Sequence, residues 1–183
     1  SKTYSVMTPD DGIISTLMNG SKTNPKTWAT LEECHEANQK YNLDGYQIMC
    51  IYSGLCILDL DKCVKSDGTI LEWSKSLIEY MDTYTEYSPS GRGFHIFFMG
   101  NPHKRIDKFI ESYVDEETGT EIMTHLEYYG GYVKEDGTIE YPSNVTVTGN
   151  VYLDKPIEDR SDKASIVYDE LHKLVNTAQK NKK

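Results

Sequence analysis

Leu55-Cys56-Ile57-Leu58-Asp59-Leu60-Asp61 is an apolar run that ends in two acids one residue apart. Bounded by Ser53-Gly54 before and Lys62 after, it reads as a buried strand. Side chains alternate across a strand, so Asp59 and Asp61 share one face and Leu58 and Leu60 the other. Two neighbouring carboxylates repel, and both stay ionised at neutral pH only where positive charge compensates. A divalent cation is the most economical compensator, because carboxylate oxygens are the hard ligands that Mg²⁺ or Mn²⁺ prefers. The stretch predicts a metal site at a strand exit, used on a phosphate-bearing substrate. Read alone, Asp-x-Asp at a strand end is also ordinary solvated loop chemistry.

Outward from that strand, the 183 residues are enough for one domain with a proper core and leave room for a small appendage. Charged residues at 26% and hydrophobic residues at 38% fit a soluble globular chain. No apolar run approaches a membrane span, and the N-terminus has no charged-then-apolar export pattern, so a cytoplasmic protein is expected. The four cysteines, Cys34, Cys50, Cys56 and Cys63, form no Cys-x-x-Cys pair, which argues against a zinc knuckle. Three of them sit in or beside apolar segments and read as reduced core residues. A net charge of −10 argues against a large basic face for non-specific DNA binding. Any nucleic-acid contact would be local, metal-assisted or supplied by a further part of a longer protein.

Along the chain, residues 1–24 read as a polar, irregular lead-in. Thr30 with Glu33 forms a capping box for a helix to about Tyr41, with Leu31, Cys34, Ala37 and Tyr41 inward. Residues 47–52 read as a strand hairpinned through Ser53-Gly54 onto 55–59. A helix over about 71–84 follows, with Trp73, Leu77, Ile78, Met81 and Tyr84 at helical spacing. Strands are predicted over 85–88, 94–99, 121–129 and 145–148. Residues 101–119 read as a loop with one helical turn. Residues 130–142 read as an excursion hairpin through Asp136-Gly137, and a terminal helix starts at Ser161 or Asp162. Six or seven strands, mostly hairpin-paired, with three helices give an α+β fold. The expected domains are the lead-in 1–24, a catalytic domain 25–158, and a C-terminal helix and basic tail 159–183 that could serve as a linker to a further module.

Ser88-Pro89-Ser90-Gly91-Arg92-Gly93-Phe94-His95 is the second informative stretch. Gly91 and Gly93 free the backbone to aim N–H groups at an anion. Ser90 adds a hydroxyl and Arg92 a fork suited to phosphate, while His95 stands just inside the next strand. A triphosphate cradle and a plain hairpin turn both fit these residues. Glu127 is an acid in an apolar and aromatic strand, where an unpaired carboxylate is costly. A metal shared with Asp59 and Asp61 would satisfy it, as would solvent at a sheet edge. Thr146-Val147-Thr148-Gly149 is a strand ending that could line the same pocket. An EF-hand starting at Asp59 fails, because Val64 and Ile70 stand where Gly and Glu are required. A dinucleotide fingerprint from Gly91 fails at Ile96. The Asp-x-Asp strand also resembles that of haloacid-dehalogenase-type phosphatases, but Lys62-Cys63 departs from their Gly-Thr continuation.

The order of these motifs resembles the archaeo-eukaryotic primase superfamily, above all the primase–polymerase domains of phages and mobile elements. Residues 57–61 match its motif I, 88–95 its motif II, 126–127 its motif III and 145–149 its Thr-Gly strand; the resemblance covers about 25–150. It implies an archaeo-eukaryotic primase-like core of mostly antiparallel or mixed sheet with flanking helices. It implies template-directed nucleotidyl transfer, with Asp59, Asp61 and Glu127 holding two Mg²⁺ or Mn²⁺ ions. Ser90, Gly91, Arg92, Gly93 and His95 would hold the phosphates, and Thr148 would frame the nucleotide. The implied partners are nucleoside triphosphates, a single-stranded DNA template with primer, and a helicase module in cis or in trans. The implied setting is a bacterial cell or phage-infected host. Ser143-Asn144 depart from the Arg and aromatic that relatives often carry before the Thr-Gly strand. A non-catalytic module binding nucleotide or single-stranded DNA, and a metal-dependent phosphohydrolase, are the competing expectations.

Overall fold

The computed structural model describes residues 4–7, 16–43, 45–50, 54–101 and 106–180, with side chains between 20 and 170. Its strands are β1 (Tyr4–Met7), β2 (Thr16–Asn19), β3 (Tyr46–Met49), β4 (Leu55–Asp61), β5 (Thr85–Tyr87), β6 (Phe94–Met99), β7 (Ile106–Val114), β8 (Glu121–Tyr129), β9 (Tyr132–Val133), β10 (Ile139–Glu140), β11 (Asn144–Val147) and β12 (Val151–Leu153). The α-helices are α1 (Leu31–Tyr41), α2 (Glu72–Met81) and α3 (Ser161–Lys180). The chain is α+β, its sheets built from antiparallel pairs, and it divides into two compact units.

The smaller unit spans residues 1–49 with Asn144–Val147. There β1 pairs with β2, where the sequence suggested only irregular chain, and β3 pairs with β11. The expected hairpin of β3 onto β4 does not form: β4 takes β6 and β8 as neighbours instead. The middle of that expected hairpin, residues 51–53, lies outside the described residues. Helix α1 starts with the predicted capping box, Thr30 Oγ1 accepting from the Glu33 N–H while a Glu33 carboxylate oxygen accepts from the Thr30 N–H at 2.7 Å. Ala37 is fully buried, but Leu31 is 74% exposed, contrary to the inward position its spacing suggested.

The larger unit spans Cys50–Ser143 with Thr148–Lys183 and holds a six-stranded sheet in the order β12-β5-β6-β4-β8-β7. The run 55–61 is central because only a strand flanked on both edges and covered on one face accommodates Cys56, Leu58 and Leu60 at 0% exposure. These three pack with Phe94, Ile96, Phe98, Leu126 and Tyr128 against Ile78 and Met81 of α2 and Ala164 of α3. Burying each large apolar side chain here contributes roughly 1.5–3 kcal/mol. Residues 106–114, read from sequence as a loop, form the long strand β7 on the sheet edge. Its polar positions Asp107, Lys108, Glu111 and Ser112 dilute the apolar signal that marks a strand. The excursion hairpin forms as predicted, β9 against β10 with Lys134 donating to Glu140 at 2.5 Å. Cys50, Cys56 and Cys63 are buried free thiols, which burial pushes up to about 12, 11 and 12.

Candidate active site

The register of the large sheet sets one row of polar side chains across its width. Asp107 of β7 stands opposite Glu127 of β8, Glu127 opposite Asp59 of β4, Asp59 opposite His95 of β6, and His95 opposite Glu86 of β5. All five therefore share the face turned away from the helix-covered core. One pleat further along β4, Asp61 faces His125, which faces Phe109. Directly opposed cross-strand residues hold their Cβ atoms about 4.5–5.5 Å apart, so Asp59 is within side-chain reach of Glu127 on one side and His95 on the other. Strand alternation thus brings together Asp59, Asp61, Glu127 and His95, residues up to 68 positions apart in the chain (127 − 59).

Asp59 is oriented from both flanks. Its Oδ1 lies 3.7 Å from His95 Nε2, and its Oδ2 lies 3.5 Å from the Tyr129 hydroxyl. Its side chain is 22% exposed, against 6% for His95. Asp61 is half-exposed and pairs loosely with Lys62 Nζ at 3.7 Å. Lys62 has a positive φ of 55°, which ends β4 directly after the second acid. Beside the acids, His125 Nδ1 and Asp107 Oδ1 meet at 2.7 Å. Three carboxylates on one face supply the all-oxygen donor set that suits Mg²⁺ or Mn²⁺. Among the described residues, no three His, Cys, Asp or Glu side chains close on a common point at metal-binding spacing.

The glycine-flanked stretch forms the 88–93 loop between β5 and β6, at the end of β4 that carries Asp61. A Cβ on Gly93 would lie 2.2 Å from the Leu60 carbonyl oxygen, so only glycine lets the loop approach this closely. The loop is bonded to itself. The Ser88 N–H donates to the Gly93 carbonyl, the Gly91 N–H to the Ser88 carbonyl, and the Arg92 N–H to Ser90 Oγ at 3.2 Å. Of the Gly91 and Gly93 amides expected to face an anion, that of Gly91 is thus engaged internally. Arg92 also departs from the cradle expected of it. Its Nε donates to the Val64 carbonyl at 2.5 Å and its Nη2 to the Tyr113 hydroxyl at 3.2 Å and Asp115 Oδ2 at 3.1 Å. Asp115 is 4% exposed. Its burial pulls its pKa up, but hydrogen bonds from Arg92 and the Thr118 backbone outweigh that and hold it below the usual carboxylate range.

Thr148 is engaged as well: its hydroxyl donates to the Tyr87 carbonyl at 2.7 Å and its N–H to Glu86 Oε1 at 2.8 Å. Glu86 is the residue that sequence reading missed. It is fully buried, and its Oε2 accepts from the Gly149 N–H at 3.0 Å and the Tyr84 hydroxyl at 3.2 Å. Burial and the Glu86 charge raise the Tyr84 pKa, keeping that hydroxyl a donor. The signal available in sequence was an acid two residues before Ser88 in a short strand of hydroxyl-bearing residues, which alone reads as a sheet-edge Glu.

No protein-family profile matches the chain. Over 134 residues it is 26% identical to a protein of Nitratiruptor phage NrS-1 described as a DNA primase-polymerase. The aligned part is 72% of this chain and 16% of the phage protein, so the chain corresponds to a small portion of that relative. The chain is thereby a distant relative of a phage DNA primase-polymerase, and its α+β architecture is compatible with a primase-like core.

Proposed function

We propose that the large unit is the catalytic core of a primase–polymerase, joining nucleoside triphosphates on a single-stranded DNA template. The observation that carries the reading is the register Glu127–Asp59–His95 across three adjacent strands, which sets two acids and an imidazole side by side on one sheet face. Asp59, Asp61 and Glu127 are the side chains that would hold two Mg²⁺ or Mn²⁺ ions. When bound, such ions lower the charge barrier between a primer hydroxyl and a triphosphate and stabilise the departing pyrophosphate.

The chain's own residues do the rest. Tyr129 and His95 fix Asp59, so its carboxylate enters the site with little freedom left to lose. The exposure of Asp61 and its loose pairing leave it able to rotate toward the row. His95 presents an N–H to a phosphate oxygen from a rigid central strand. Ser90 and the backbone of Gly91 and Gly93 frame the triphosphate at the end of β4, with Thr148 beside them. Arg92 acts first as the strut that ties this loop to Val64 and Asp115. A helicase module in cis or in trans fits a chain that matches a small portion of a longer relative.

Primer extension with Mn²⁺ or Mg²⁺ tests the reading. The intact protein extends a primer on a template, and Asp59→Ala with Asp61→Ala abolishes extension. Nucleotide binding without synthesis by the unsubstituted protein would point to a non-catalytic replication module, and template-independent phosphate release to a phosphohydrolase.

A further inference from the structure

We infer that Glu86 is a positioning residue of this site, holding the Thr148-Gly149 turn and His95 in one arrangement through a single buried carboxylate. The inference rests on the proposed nucleotidyl-transfer reading. A carboxylate at zero exposure is costly unless its oxygens are satisfied. Glu86 meets that cost with two consecutive backbone amides, one to each oxygen, and a phenol. Charge-assisted bonds of this kind are about twice as strong as neutral ones. Gly149 adopts a φ of +65°, a conformation that brings its N–H and that of Thr148 toward the same carboxylate.

A fourth contact links this clamp to the acid row. His95 Nδ1 lies 3.9 Å from Glu86 Oε1, while His95 Nε2 lies 3.7 Å from Asp59 Oδ1. Both distances are longer than a hydrogen bond, and they place the ring between two carboxylates on neighbouring strands. With Glu86 on one side, the Nδ1 edge is committed to the sheet interior and the Nε2 edge to the site. A core residue that merely filled space would need no carboxylate, since β5 is also flanked by apolar Phe94 and Val151. The arrangement sets both the Thr-Gly turn and the imidazole against the triphosphate, so its loss falls first on nucleotide binding.

Glu86→Gln tests this, because the amide keeps the size but offers one acceptor and opposes a donor to the second backbone N–H. In ¹⁵N-labelled protein of unchanged circular dichroism, the Thr148 and Gly149 amide protons and the His95 ring nitrogens should shift. The apparent KM for nucleoside triphosphate in primer extension should rise at least tenfold. A purely structural role would lower the active fraction, and hence kcat, without moving KM; an unchanged KM in the folded variant overturns the inference. If Glu86→Gln does not fold, Tyr84→Phe removes one donor to the same carboxylate from a partly exposed position. It should shift the Gly149 amide and raise KM in the same direction, and no change in either overturns the inference. If the unsubstituted protein makes no product, the nucleotidyl-transfer reading fails by itself. The amide and ring shifts then still decide whether Glu86 holds the turn and the imidazole.

Discussion

At the scale of single residues, several polar groups near the site have specific partners. Asp59 meets His95 and Tyr129, Glu86 meets the Thr148-Gly149 amides, and Arg92 meets Asp115. Glu127 is the acid whose role is most directly testable. Glu127→Gln keeps the side-chain volume and removes the charge that faces Asp59. It should leave the melting temperature within a few degrees and cut Mn²⁺ affinity by at least the roughly 10–100-fold seen when a metal site's supporting residue is lost. Equal Mn²⁺ binding by the variant, measured by titration calorimetry, removes Glu127 from the site. Asp115 gives a pH prediction. Its folded pKa lies below the unfolded value near 3.9, so its pairing with Arg92 stabilises the fold fully above about pH 4 and is lost as pH falls through the lower folded value. The melting-temperature gap between the unsubstituted protein and Asp115→Asn should be constant from pH 5 to 8 and close under acid. A gap that widens on acidification contradicts the pairing. The acids and His95 were legible in sequence because their types and order are distinctive. The bonds of Arg92, Thr148 and Glu86 were not, because each depends on a partner more than 20 residues away.

At the scale of elements, the loop at 88–93 is shaped by Gly93 more than by its charged residue. Gly93→Ala would drive a methyl into the Leu60 carbonyl and push the loop off the end of β4. Overpacking of this kind costs about 1–3 kcal/mol, readable as a lowered urea midpoint with little change in slope. A stability equal to that of the unsubstituted protein would mean the loop relaxes freely and does not frame the site. The strand at 55–61 was readable because a seven-residue apolar run capped by acids suits a central strand. The edge strand β7 was not, since its exposed side chains match a loop in composition. The mistaken β3–β4 hairpin followed from adjacency in sequence, whereas β3 finds its partner in β11, nearly a hundred residues on. Such non-local pairing leaves no short-range signal.

At the scale of the whole molecule, the proposed function would have an acidic chain with a net charge of −10 meet a polyanionic substrate through a local concentration of cations. The sheet supplies one place for this, the face where Asp59, Asp61 and Glu127 share a side. Its opposite face is packed against α2 and α3, while on the acid-row face Ile57 and Phe97 are buried beside the site. Substitutions at the partly exposed acids Asp59, Asp61 and Glu127 should alter activity with little effect on folding, while those at Leu58 or Leu60 should unfold the protein. The most direct test of the central claim is electron paramagnetic resonance of Mn²⁺ titrated into the protein with a nucleoside triphosphate. The account predicts two protein-dependent Mn²⁺ ions per chain, lost when Asp59 and Glu127 are replaced by Asn and Gln. Mn²⁺ binding that is absent from the unsubstituted protein, or unchanged by those replacements, would contradict it.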